Sequence, residues 1–167
     1  MSSTFVAILM GSDSDLPVMQ ATIEILKKFK IEHEVRVRSA HRTPDAAKAY
    51  VKDAEERGCK VFICAAGLAA HLAGAVAGMT TRPVIGVPVD NGPLQGHDAL
   101  LSTVMMPGGI PVATVAIGKA GAKNAGYLAA QILGVADQSI ADSVKAERIA
   151  NAKALLAKDE AMQAKLS

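Results

Sequence analysis

The chain has no tryptophan, three phenylalanines and two tyrosines, so aromatic residues make up only 3% of it. A site that stacks a flavin ring or unpaired bases on aromatic side chains has little to be built from. Cysteine is equally scarce: Cys59 and Cys64 cannot form a disulfide framework. They read as reduced, buried thiols of a cytoplasmic protein, and two thiols alone do not make a metal site. If both lie in one strand, their odd separation places them on opposite faces. No apolar run reaches the roughly 18 residues of a membrane span. Met1–Thr4 has no basic stretch and leads at once into a short apolar run, which reads as a first strand rather than a signal peptide. Eighteen basic against sixteen acidic residues leave a net charge of +2, with no basic stripe to suggest nucleic acid. G-x-G-x-x-G, Walker and G-x-S-x-G motifs are missing, which disfavours dinucleotide oxidoreductases, NTPases and α/β-hydrolases. The four histidines show no metal-ligand spacing such as H-x-x-x-H.

What is present is a chain of 167 residues, half of them hydrophobic, with a mean hydropathy of +0.25. That length suits one domain, or one domain with an appendage, and buries about 70% of the unfolded surface. Short apolar runs alternate with helical patterns. Phe5–Met10 reads as a strand buried on both faces, 61–66 as a further buried strand, and 83–89 and 111–117 as two more strands. His33, Val35 and Val37 alternate with charged residues, which suits a strand nearer the sheet edge. Between the strands, Val18, Ala21, Thr22, Ile25, Leu26 and Phe29 share one helix face, with Pro17 in the first turn. Thr43-Pro44-Asp45 starts a second helix, with Thr43 as the expected capping hydroxyl, Ala47, Tyr50, Val51 and Ala54 as its apolar face and Gly58 at its end. Further helices are expected over about 69–79, 97–105 and 120–133.

Five strand–helix alternations predict an α/β fold: a three-layer α/β/α sandwich around a five-stranded parallel sheet. The α/β domain should span 1–136. Residues 137–167 should form a long helical arm, which finds little core left on its own subunit.

Ligands of such sheets bind beyond the carboxyl ends of the strands. The unusual residues concentrate there. In Gly11-Ser12-Asp13-Ser14-Asp15, glycine and free N–H groups at a helix start can receive an anion, and the two carboxylates suit ribose hydroxyls beside it. The same residues also suit an ordinary N-cap turn. Ser39-Ala40-His41-Arg42 places a group that titrates near neutrality next to a potential bidentate clamp for phosphate or carboxylate. In Gly67-Leu68-Ala69-Ala70-His71-Leu72, small residues permit close approach to a flat ligand. His71 is either a site residue or a helix-start histidine bonded to backbone. His33 and His97 read as structural.

These segments occur together in a known order. M-G-S-D-S-D at 10–15, S-A-H-R-T-P-D at 39–45, A-A-H-L at 69–72, P-V-I-G-V-P at 83–88, M-P-G-G-I-P-V at 106–112 and A-K-N-A at 122–125 resemble the N5-carboxyaminoimidazole ribonucleotide mutase (PurE) family of purine synthesis. The resemblance runs from about residue 5 to 135 and into the tail. It implies a flavodoxin-like fold and transfer of a carboxyl group from the exocyclic nitrogen to C4 of an imidazole ribonucleotide. It implies no metal, ATP or organic cofactor, and CO2 as a bound intermediate. It implies His41 as general acid/base. Ser12, Ser14, Asp15, Ser39, Ala40 and Arg42 then bind substrate, with Arg42 and the serines toward phosphate and Asp15 near ribose. Gly67, Ala70, His71 and Leu72 surround the carboxylate and CO2. The resemblance also implies a cytoplasmic homo-octamer, with no nucleic-acid or membrane partner.

A second class of the family carboxylates aminoimidazole ribonucleotide directly; it carries lysine after the S-A-H histidine and an R-S-N loop for A-A-H-L. Arg42 and 69–72 side with the mutase. Leu68, Ala73 and Met105 depart from the glycine, proline and glutamine common in the mutase class. The remaining alternative is a non-catalytic, flavodoxin-like nucleotide-binding module. The tail offers Ile140, Val144, Ile149, Ala152, Leu155, Leu156 and Met162, several at helical spacing, to neighbouring subunits.

Overall fold

The computed structural model describes residues 4–166; Met1–Ser3, and with them most of the N-terminal segment judged against a signal peptide, lie outside the described residues. Strands β1 (Phe5–Met10), β2 (His33–Val37), β3 (Cys59–Gly67), β4 (Val84–Val89) and β5 (Ala113–Thr114) form one parallel sheet in the order β2-β1-β3-β4-β5. Helices α1 (Leu16–Lys28) and α5 (Gly118–Gly134) cover one face. On the other lie α2 (Pro44–Arg57), α3 (Leu72–Ala77) and α4 (His97–Val104), and α6 (Gln138–Leu166) follows as the long C-terminal helix. The expected three-layer parallel architecture is therefore present, with β2 at an edge.

Alternation within the strands divides the core. Val6, Ile8, Val61, Ile63, Ile85 and Val87 pack toward α1 and α5, while Ala7, Leu9, Phe62, Cys64 and Val84 pack toward α2 and α3. Fully burying a side chain such as Phe62 or Ile63 contributes about 1.5–3 kcal/mol. Between α1 and α5, the buried Thr22 hydroxyl donates to Ala122 O at 2.6 Å, so this buried polar group is satisfied. Gly86, in the middle of β4, has no room for a side chain: a Cβ there would lie 2.4 Å from Thr103 Cγ2. That absence lets α4 approach the sheet.

Four expectations are corrected. Cys59 and Cys64 lie on the same face, because the β1–β3 register shifts between Phe5 and Val6. The extra residue, Lys60, interrupts the alternation as a β-bulge does. Both thiols are free and buried; burial pushes Cys59 up to about 11 and Cys64 further still, which keeps them protonated. Thr43 does not cap α2 with its side chain; its Oγ1 accepts Ser39 N–H at 2.9 Å and donates to Ser39 O at 3.2 Å. The fifth strand is two residues, not seven, since only Ala113 and Thr114 pair with β4 at this edge.

The tail is the fourth. Its first half docks on the α/β unit: Ile140 and Val144 pack against the core, and Glu147 accepts from Tyr127 at 2.6 Å and pairs with Lys28 at 2.5 Å. Beyond about Asn151 the helix is exposed throughout, Leu155 and Leu156 included. Among the described residues, no helix is long and apolar enough to cross a membrane.

Candidate active site

The chain runs from β1 outward to β2 and then returns past β1 to β3. A crevice opens at the carboxyl ends of β1 and β3, where the connections diverge to opposite sides. The cleft there has a volume of about 600 Å³ and is lined from the loops after β1, β2, β3 and β4. Its size falls in the range of small-ligand sites.

The loop after β1 turns through a short 3-10 helix, Asp13–Asp15. Ser14 N–H donates to Ser12 Oγ at 3.3 Å, and Ser12 N–H donates back to Asp15 Oδ2 at 3.1 Å. The turn is thus a capping box as well as a cleft wall, so the two readings of this segment are compatible. The Ser14 hydroxyl donates to Ser12 Oγ at 2.9 Å. Asp15 is 2% exposed. Burial raises its pKa above the ordinary aspartate value, against the opposing pull of Ser12 N–H and the Asn91 amide.

After β2, Ser39 Oγ accepts Arg42 N–H at 3.1 Å, which folds the tight turn that presents Ala40, His41 and Arg42. Arg42 Nη2 donates to Gly11 O at 2.9 Å, tying the second loop to the first. The guanidinium has five N–H donors, so this bond leaves others for an anion.

The loop after β3 brings His71 to His41. Their Nδ1 and Nε2 atoms lie 2.7 Å apart, with the rings nearly perpendicular at 88°. A bond between two imidazole nitrogens requires one donor and one acceptor. The pair therefore carries at most one positive charge in this geometry, and the shared proton can sit on either ring. His71 is a cleft residue with a side-chain partner; sequence alone left its role open. His33 and His97 instead place Nδ1 against backbone carbonyls of Ile31 and Leu94 at 2.9 and 3.0 Å, as expected of structural histidines.

Of the ten expected binding residues, nine line the cleft with His41: Ser12, Ser14, Asp15, Ser39, Ala40, Arg42, Gly67, His71 and Leu72. Ala70 does not. It is 1% exposed and sits behind the wall, where its N–H donates to Ser102 Oγ at 2.9 Å. Asn91 lines the cleft and was missed. Its signal was the Asp90-Asn91-Gly92 turn sequence directly after β4. Ser102, also missed, holds the loop after β3 to α4. Leu68 adopts φ +56°, a left-handed conformation unusual for leucine, and is 53% exposed at the rim. Gly92, at φ +105°, makes room for it: a Cβ there would lie 2.6 Å from Leu68 Cδ2. No group of three or more metal-ligating side chains occurs among the described residues.

A family model described as AIR carboxylase matches residues 5–154. The chain belongs to the AIR carboxylase family. It is 59% identical over 140 residues to the N5-carboxyaminoimidazole ribonucleotide mutase of Thermotoga maritima, covering 84% of this chain and 81% of that protein. To the mutase of the same name from Bacillus subtilis it is 54% identical over 143 residues, 86% and 88% of the two chains. Among solved structures, the crystal structure of Treponema denticola PurE superposes with a TM-score of 0.84 at 35% identity, covering 95% of this chain and 98% of that one. The family match, residues 5–154, spans every loop of the cleft.

Proposed function

We propose that the chain is an enzyme of purine biosynthesis that converts N5-carboxyaminoimidazole ribonucleotide to 4-carboxyaminoimidazole ribonucleotide, an isomerisation. The observation that carries the chemistry is the His41–His71 hydrogen bond at the cleft. As the carbamate C–N bond breaks, its electron pair returns to the exocyclic nitrogen, which takes a proton from His41. C4 then attacks the released CO2. The C4 proton returns to His41 and restores the aromatic ring. One proton is given and one is recovered, so a single imidazole serves both steps. His71 shares that proton and orients His41. Arg42 and the hydroxyls of Ser12 and Ser14 receive the phosphate, and Asp15 the ribose diol. Gly67 and Leu72 form walls small and apolar enough to hold CO2 apart from water. This reading needs no cofactor or metal ion, and its setting is the cytoplasm.

Supplying the carbamate and the uncarboxylated ribonucleotide separately tests it. Product should form from the carbamate at low bicarbonate, with little bulk CO2 incorporated. A strict need for high bicarbonate with the uncarboxylated substrate would assign the direct carboxylase reaction instead.

The reading includes a homo-oligomer, an octamer as the resemblance implies, in which the distal half of α6 is an arm on neighbouring subunits. Ile149, Leu155, Leu156 and Met162 are exposed there, as are Leu101, Val104 and Met105 at the end of α4. Because α6 docks on its own α5 up to about Asn151, the informative truncation removes residues 152–167 and leaves the fold intact. Light scattering should show a smaller assembly, with activity reduced. A fully active assembly of unchanged size would make the arm dispensable.

A further inference from the structure

Asn91, in the loop after β4, has a more specific place than lining the cleft. Its Nδ2 donates to Asp15 Oδ1 at 3.0 Å, while Asp15 Oδ2 accepts Ser12 N–H at 3.1 Å. Each carboxylate oxygen is thus held by one protein donor and keeps acceptor capacity for one more. The amide orientation follows from the chemistry, since the opposite flip would set a carbonyl oxygen against a carboxylate. Asn91 is itself braced. A Cβ on Gly67 would lie 3.1 Å from Asn91 Cβ and 3.5 Å from its Nδ2, so the side chain rests on the bare backbone at the end of β3. The next residue, Gly92, carries Leu68. One side chain therefore links the loops after β1, β3 and β4.

We propose that Asn91 is the positioning residue of Asp15, fixing the rotation of its carboxylate and keeping it an acceptor for the sugar hydroxyls of the ribonucleotide. The assignment of the sugar rests on the function proposed above; the coupling of the two side chains does not. Burial pushes Asp15 toward the neutral acid; Ser12 N–H and the Asn91 amide oppose that, Asp13 adds to it, and Arg42 opposes it. His41 and His71 are the other titratable groups of the cleft. A protonated Asp15 would present a donor where the diol needs an acceptor. Removing the Asn91 donor therefore raises the Asp15 pKa, and the acid limb of kcat/KM moves to higher pH.

The experiment is a double-mutant cycle of Asn91→Ala with Asp15→Asn, read as kcat, KM and their pH profiles. Asn91→Ala should raise KM about tenfold, the effect of losing a hydrogen bond to a charged group, with kcat changed by less than about threefold. Made in the Asp15→Asn background, it should add little. Full additivity of the two losses would overturn the proposal. Should Asn91→Ala not fold, Asn91→Ser, with a shorter donor, takes its place in the cycle. Carbon-13 NMR of the Asp15 carboxyl, without substrate, separates this inference from the proposed reaction. Its titration should move to higher pH in Asn91→Ala even if the wild type turns over no ribonucleotide. An unchanged titration would overturn the positioning role, whereas an inactive wild type would overturn only the reaction.

Discussion

Replacing His41 with asparagine is expected to lower kcat by about 10²- to 10⁴-fold, the usual contribution of a general acid/base, while ribonucleotide binding stays within about tenfold. Asparagine is polar and can still bond to His71. It cannot give up and recover a proton near neutrality, and the proposed reaction requires both. The structure sharpens this expectation, since His41 Nε2 lies 2.7 Å from His71 Nδ1 and the shared proton is the one at stake. Single-turnover assays together with equilibrium binding of the product separate the two quantities. Near wild-type turnover would remove His41 from the mechanism.

Arg42→Ala should weaken binding of the phosphorylated ligand by about 1.5–3 kcal/mol, roughly tenfold to a hundredfold, as expected for a charge-assisted bond. An unphosphorylated nucleoside analogue should lose little. The comparison matters because Arg42 also donates to Gly11 O, and losing that bond loosens the loop after β1 for any ligand. Arg42→Lys keeps the charge but not the fork, so it should recover only part of the phosphate affinity. Equal losses for both ligands, measured by calorimetry, would leave Arg42 a loop tether and not a phosphate clamp.

The legible part of this site was its local chemistry. Glycine, serine and aspartate after β1, and S-A-H-R before a proline-started helix, mark strand ends whatever lies beside them. The partners of those residues were not legible. His41 and His71 are thirty residues apart and meet only because β1 alone lies between β2 and β3. Asp15 and Asn91 are separated by 76 residues and meet because β4 follows β3 in the sheet. Two local readings failed for related reasons. Period-two counting put Cys59 and Cys64 on opposite faces, and a bulge at Lys60 returned them to one. Thr43 looked like a cap, but its hydroxyl lies within reach of the Ser39 backbone and bonds there.

By itself, the sequence determined the element order, the parallel α/β layering, the loops that line the cleft and the split of buried from wet helix faces. These follow from periodicity and backbone preference, which act over a few residues. Tertiary structure decided which loops face each other, which side chains pair, and where α6 parts from the α/β unit after Asn151. Strand order sets those distances, and neither a one-residue bulge nor a helix without a single apolar stripe announces its geometry in residue spacing.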